Sequence, residues 1–313
     1  MAKLPPSEYL TDLSPKDKPW DKHRGCADTV KGIYAIAEHD KYATRMGSCS
    51  NLLEFGLVNG ENDEQQFKLK AVHFCRVRHC PVCQWRRSLK WKAKLFQAMP
   101  GIKQEYPTHR WIFLTLTVKN CDVADLRDTI AFMNKAFVRL TQRKIFPGAG
   151  WIKALEVTRN EDTGQAHPHF HVLILVPSGY FGGKSYIKKE RWVELWQQCL
   201  RVNYPPVVDI RAVKPESSDA DDMAKAVCET LKYSVKEEDL VADADWLIGI
   251  TEQLHKTRSV SVGGCLRNFL REEKEDEDLV NIADSEDAKL PESDISVYFG
   301  YRENIKRYKL NKA

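Results

Sequence analysis

The sequence predicts an α+β fold: a central antiparallel β-sheet covered by helices, with a cysteine-rich module inserted or appended on its N-terminal side. Three observations predict it. β-Branched and aromatic runs alternate with segments whose apolar residues recur every three or four positions. Two of the β-type runs are separated by the turn-rich stretch Asn160, Glu161, Asp162, Thr163, Gly164, as in a hairpin. Cys75, Cys80 and Cys83 crowd into one basic segment.

The chain of 313 residues, 42% hydrophobic and 29% charged, is long enough for one large core or two smaller ones. No stretch approaches the roughly 18 apolar residues needed to cross a bilayer, and the opening MAKLPPSEYL has no signal-peptide core, so the cytoplasm is the expected address. Nine cysteines are an odd number, and Cys26, Cys121, Cys199, Cys228 and Cys265 stand alone, which argues against a disulfide framework.

Residues 1–45 are polar and carry Pro5, Pro6, Pro15 and Pro19, which predicts a loosely structured lead-in. Residues 46–107 form the basic cysteine-rich module. The net charge of +4 conceals its character: residues 66–110 hold eleven Lys or Arg against Glu105 alone. Phe74, Trp85, Trp91 and Phe96 stand among those charges, a mixture suited to nucleic-acid phosphates and bases. Cys75, Cys80 and Cys83 give C-x4-C-P-x-C, with Cys49 the nearest fourth thiolate and His73 and His79 as alternatives. Tetrahedral Zn2+ explains such a cluster, and four thiolates leave no open position for chemistry, so the zinc is read as structural.

Residues 108–270 form the main domain. Residues 111–118 (WIFLTLTV) read as a central strand. In 125–143, Leu126, Ile130, Met133, Phe137 and Leu140 make an amphipathic helix. Strands follow at 152–158 and 169–176, then a helix at 186–202, a strand at 207–213 and a helix at 221–235. Residues 271–313 begin acidic, with eleven acids against three bases in 271–297, and close on a short aromatic, basic end; the acidic run reads as a flexible surface segment.

The strongest local signal is His167, Pro168, His169, Phe170, His171 ahead of VLILV. A strand alternates its faces, so His169 and His171 share one side and Phe170 takes the other. If Glu161 to Gly164 form the loop, paired positions place Glu156 opposite His169, on the same face. Two histidines and a carboxylate suit a divalent ion such as Mn2+ or Mg2+ holding a phosphate oxygen. His167 shares the face and is the alternative third ligand. On the 221–235 helix, Glu229 and Tyr233 stack one turn apart, with Lys232 and Lys236 nearby; a phenol, a carboxylate and cations at that spacing suit attack on a phosphate.

FLTLTVKN (113–120), LEVT (155–158), HPHFHVLILV (167–176) and ETLKYSVKEEDL (229–240), in this order, resemble the three motifs of the HUH endonucleases. More narrowly they are similar to the single-tyrosine rolling-circle replication initiators of small bacterial plasmids, over residues 45–264. The resemblance implies an HUH nuclease fold. It puts the metal histidines on His169 and His171, the nucleophile on Tyr233, its companion glutamate on Glu229 and the family lysine on Lys236. It also matches Cys49 and the basic C-x-x-R-x-C-P-x-C segment from Cys75 through Arg78 to Cys83. Implied partners are single-stranded or extruded origin DNA and the host helicase and DNA polymerase, with a dimer on the origin as a possible assembly and no membrane. Relaxases and transposases share the fold, but relaxases usually place the tyrosine before the histidines and the transposases are usually shorter and lack a cysteine module. The rival of another class is a zinc-dependent DNA-binding protein without nuclease activity.

Overall fold

The computed structural model describes residues 7–59, 65–214, 235–270, 279–280 and 295–311. The chain opens with α1 (Leu10–Leu13), α2 (Lys18–Ile36) and α3 (Asp40–Gly47), then the hairpin β1 (Leu52–Asn59) and β2 (Gln65–Val72). Next come α4 (Pro81–Glu105), β3 (Arg110–Thr117), α5 (Leu126–Thr141), β4 (Gly150–Arg159), β5 (Ala166–Val176), α6 (Lys189–Leu200) and β6 (Val208–Ala212). Two short helices, α7 (Glu237–Ala242) and α8 (Ala244–Gln253), precede β7 (Val260–Gly264), and β8 (Ser296–Arg302) and β9 (Arg307–Leu310) follow. No helix among the described residues is long and apolar enough to cross a membrane.

Contacts divide the chain into two units, the first made of Met1–Ala93, Leu240–Leu247 and Lys274–Ala313. Its antiparallel sheet has the order β2-β1-β8-β9. Alternation puts Phe55, Phe67 and Phe299 on one side, where their rings meet edge to face with centroids 5.6 to 6.0 Å apart. Trp20, Ala27, Val30 and Tyr34 of α2 are buried, and the Trp20 ring meets Trp85 at 4.8 Å. The lead-in expected over residues 1–45 is therefore largely helical. Pro15 and Pro19 sit in the first turns of their helices, where the missing N–H leaves no bond unmade, so they punctuate helices rather than loosen the chain. The short C-terminal end likewise supplies β8 and β9. Of the acidic run, residues 271–278 and 281–294 lie outside the described residues. Leu279 is buried, and Arg86 donates to the carbonyls of Leu279 and Val280 at 2.9 and 3.1 Å. The sequence boundary after residue 107 also differs from the contact boundary at Ala93.

The second unit, Lys94–Asp239 with Ile248–Glu273, holds an antiparallel sheet of order β6-β3-β5-β4-β7. The four strands expected in this region appear as β3, β4, β5 and β6; β7 was not expected. The expected helices at 125–143 and 186–202 appear as α5 and α6, while residues 215–234, and with them most of the expected 221–235 helix, lie outside the described residues. The predicted α5 stripe is buried: Phe137 lies edge-on to Trp151 and Phe170, with ring centroids 4.9 and 6.0 Å apart. Trp196 of α6 donates from Nε1 to the Thr117 carbonyl at 2.7 Å. β7 ends on Gly264 at φ +62, a left-handed position packed against Ala149 and Gly150 where a Cβ has no room.

Candidate functional site

The β4–β5 hairpin is fixed at its turn. Asn160 N–H donates to Gln165 O at 2.9 Å, the Asn160 side-chain oxygen accepts from Asp162 N and Thr163 N, and Gly164 takes φ +71. The loop is thus the four residues Glu161 to Gly164, and Glu156 pairs with His169 as the register arithmetic requires. On the other side of β5, β3 sets Thr117 opposite His169 and Thr115 opposite His171. Phe170 faces α5, so the histidines flanking it take the other face of the sheet.

There the Glu156 Oε2 lies 3.1 Å from His169 Nε2 and 2.5 Å from His171 Nε2. Adjacent ligands about 2.1 Å from an octahedral ion stand roughly 3 Å apart, and the two separations bracket that value. Proton placement supports the same conclusion. His169 Nδ1 lies 3.1 Å from the His167 carbonyl, which can only accept, so a neutral imidazole spends its N–H there. Its Nε2 lone pair then meets a carboxylate oxygen, and two acceptors in contact require a cation or a proton between them. Burial pushes the Glu156 carboxyl up, but a proton shared with His169 and His171 outweighs it and holds the group well below the usual carboxylate range. Thr115 Oγ1 lies 3.3 Å from His171 Nδ1, and Phe113 stacks on the same ring at 5.2 Å. His167 is half-buried and stands outside the converging group, which among the described residues is Glu156, His169 and His171.

Tyr233, Glu229 and Lys232 lie outside the described residues. Lys236 is described and exposed. Three residues on, Asp239 Oδ2 accepts from the Arg159 backbone N–H at 3.2 Å, which returns the chain to the end of β4, three residues from Glu156. Sequence reasoning missed Thr115, Phe113 and Asp239. Alternation along FLTLTV put Phe113 and Thr115 on one face, but only the β3–β5 pairing carries that face to His171.

The second donor group belongs to the first unit. Cys49 follows α3, Cys75 follows β2, and Cys80 and Cys83 flank the start of α4, so loops and a helix end bring the four sulfurs together. The Sγ separations are 3.7 Å for Cys49 to Cys83, 3.6 Å for Cys75 to Cys83 and 3.7 Å for Cys80 to Cys49. Thiolates 2.3 Å from a tetrahedral ion stand about 3.8 Å apart, whereas a disulfide needs about 2.05 Å, so the donor set fits Zn2+ and not a bridge. Burial and the neighbouring sulfurs push the Cys80 thiol up, while hydrogen bonds from Cys75, Cys80 and Cys83 hold Cys49 far below its ordinary value. Arg45 fixes the loop by donating to the Cys75 carbonyl at 2.6 Å. His73 and His79 stand outside the cluster.

A family model described as replication protein matches residues 66–309, which takes in the whole of the second unit and about half of the first. The chain belongs to this family of replication proteins. Among its relatives, a Rep protein of Streptococcus pneumoniae is 31% identical over 87% of this chain and 86% of its own length. Rep proteins of Bacillus amyloliquefaciens and Lactiplantibacillus plantarum are 34% and 33% identical, over 86% and 90% of this chain and 85% and 92% of theirs. No solved structure matches. Membership agrees with the resemblance to rolling-circle initiators drawn from the motifs.

Proposed function

We propose that this protein initiates plasmid replication by cutting one strand of the origin with Tyr233 and staying joined to the 5′ end. One observation carries the reading: a carboxylate held between two histidine Nε2 atoms on one sheet face, in a chain of the replication-protein family. Glu156, His169 and His171 would hold a divalent ion, Mn2+ or Mg2+, whose charge polarises the scissile phosphate. The Tyr233 phenol oxygen bonds to phosphorus as the bond from phosphorus to the 3′ oxygen breaks. The phenolic proton is lost, and the 3′ oxygen takes up a proton to become the 3′-OH that primes a host polymerase. Lys236 and Lys232 offset the charge that develops on the phosphoryl oxygens. A protein already joined through its one tyrosine needs another nucleophile to finish, and Glu229, one turn earlier, directs water to the terminating cut. A second copy on the origin is the other source of that attack. Cys49, Cys75, Cys80 and Cys83 would hold a structural Zn2+ in the basic module.

The order of elements, tyrosine after histidines, favours an initiator over a relaxase. The test is to incubate the full chain with Mn2+ and a single-stranded origin oligonucleotide labelled at its 3′ end, then run a denaturing gel. A covalent adduct is expected from the wild type and none from Tyr233→Phe, whose affinity for the oligonucleotide stays within about twofold because loss of one neutral hydroxyl leaves the basic surface that holds the phosphates intact. An adduct that persists in Tyr233→Phe moves the nucleophile to Tyr204 or Tyr186. Absence of any adduct from the wild type leaves the DNA-binding protein without nuclease activity.

A further inference from the structure

Beyond the histidines, the same end of the sheet carries two side chains that attack by Tyr233 does not use. β3 sets Thr115 and Thr117 opposite His171 and His169 and ends at Thr117. Lys119 follows two residues later, just past the end of the strand. Its Nζ lies 4.4 Å from the centre of the Tyr204 ring, and its backbone N–H donates to the Tyr204 hydroxyl at 3.3 Å. The Tyr204 loop is itself bound to β3. Thr117 Oγ1 and Thr117 N–H both donate to the Val207 carbonyl, at 2.9 and 3.3 Å, and Trp196 holds the Thr117 carbonyl. Lys119 is exposed and Tyr204 half-buried.

We propose that Lys119 and Tyr204 form a nucleotide subsite beside the metal centre. The Tyr204 ring stacks on the base next to the scissile phosphate, and the Lys119 ammonium meets the phosphate of the same nucleotide. The loop does not depend on the lysine and ring contact for its position, because the Thr117 bonds already fix it. Asp209, the acid that β6 sets opposite Thr115, is paired with Arg211 at 2.7 Å, so it does not cancel the lysine's attraction for a phosphate. An aromatic face accepts any base but only an unpaired one, so the pair selects a single strand by its form rather than its sequence. The inference rests on the proposed reading that origin DNA occupies this face.

The test scans the full chain against single-stranded origin oligonucleotides in which each base in turn around the cut is removed. Affinity is read by fluorescence anisotropy without divalent ion, and adduct formation is read separately with Mn2+. The wild type is expected to lose about tenfold in affinity, 1.4 kcal/mol, at one abasic position next to the cut. Tyr204→Leu binds the intact oligonucleotide about tenfold more weakly and no longer senses that position, while its response to the other abasic positions persists. Tyr204→Phe, which keeps the ring, restores the position effect. Lys119→Gln weakens every oligonucleotide alike and reduces the salt dependence by about one phosphate contact. The subsite is overturned if no single position stands out in the wild type, if Tyr204→Leu keeps the position effect, or if Lys119→Gln leaves the salt dependence unchanged. A wild type that shows the position effect but forms no adduct overturns the nicking reading and leaves the subsite standing.

Discussion

The four cysteines come from three separate stretches of backbone, whereas Glu156, His169 and His171 come from two neighbouring strands of one hairpin. The sulfurs are sealed, at 0 to 4% exposure, in loops and the first turn of α4, with no sheet ladder to hold them. The carboxylate and histidines stand on strands already bonded on both sides, by β3 and β7, and His171 is only half-buried. Four soft donors filling a tetrahedron bind backbone together and leave nothing for a substrate. Three donors on a preformed sheet add little to folding and leave positions open. The first group should therefore matter to stability and the second to function.

That contrast breaks most easily at the cysteines. Cys80→Ser removes one of the four thiols proposed to hold Zn2+, an ion that accounts for about 10 kcal/mol in small zinc domains. Zinc bound per chain, measured by atomic emission, should fall to near zero and the calorimetric Tm by roughly 10 °C or more. Normal zinc content and Tm in this variant would end the assignment. At the histidines the expectation reverses: His169→Ala or His171→Ala loses covalent attachment and calorimetric Mn2+ binding with Tm shifted by only about 2 °C. Glu156→Ala follows in milder form, and a dead His167→Ala beside an active Glu156→Ala would transfer the third ligand to His167.

The back of the hairpin sharpens the comparison. Lys153 lies on the helix-covered side, its Nζ 4.1 Å from the Phe170 ring and bonded to Asn134, and burial pushes its pKa from 10.5 down to about 8. Below pH 8 both folded and unfolded chains carry the proton, and the buried charge exerts its full cost. Between pH 8 and 10.5 the unfolded chain holds more protons, so stability rises across that window. Lys153→Met should stabilise the protein by about 2 kcal/mol at pH 7 in urea melts, with the gain fading towards pH 10.5. A gain independent of pH would mean that packing rather than charge decides it. Smallest is Thr115→Val, which takes away the partner of His171 Nδ1 and should weaken Mn2+ roughly tenfold, with Thr115→Ser restoring it. Equal affinity in all three proteins would leave Thr115 with a packing role only.

How much of this is legible in the sequence depends on the distance over which the determining contact acts. The site hairpin is legible because Asn160 and Gly164 fix its loop, and a period of two then gives the shared face of Glu156, His169 and His171. Thr115 is not, because β3 and β5 are neighbours in the sheet while α5 and β4 lie between them in the chain. The β1–β8 pairing is hidden for the same reason, and polar Asp28 and Lys31 around buried Val30 disguise α2 as loose chain. The cysteine spacing named its own cluster but gave no sign of the sheet against which it is built.

β8 lies between β1 and β9, and Ser296 hydrogen-bonds to Glu54 across 242 residues of chain. On a ribosome adding about 5 to 20 residues per second, β1 emerges roughly 12 to 50 s before its second partner. Every strand of the five-stranded sheet is made within that interval, while β1 waits with one edge unpaired and the cysteine cluster, complete by Cys83, holds the nascent loops beside it. A message cut short before β8 would thus yield chains with a finished hairpin of histidines and an open, sticky edge elsewhere, the kind of product that quality-control proteases remove.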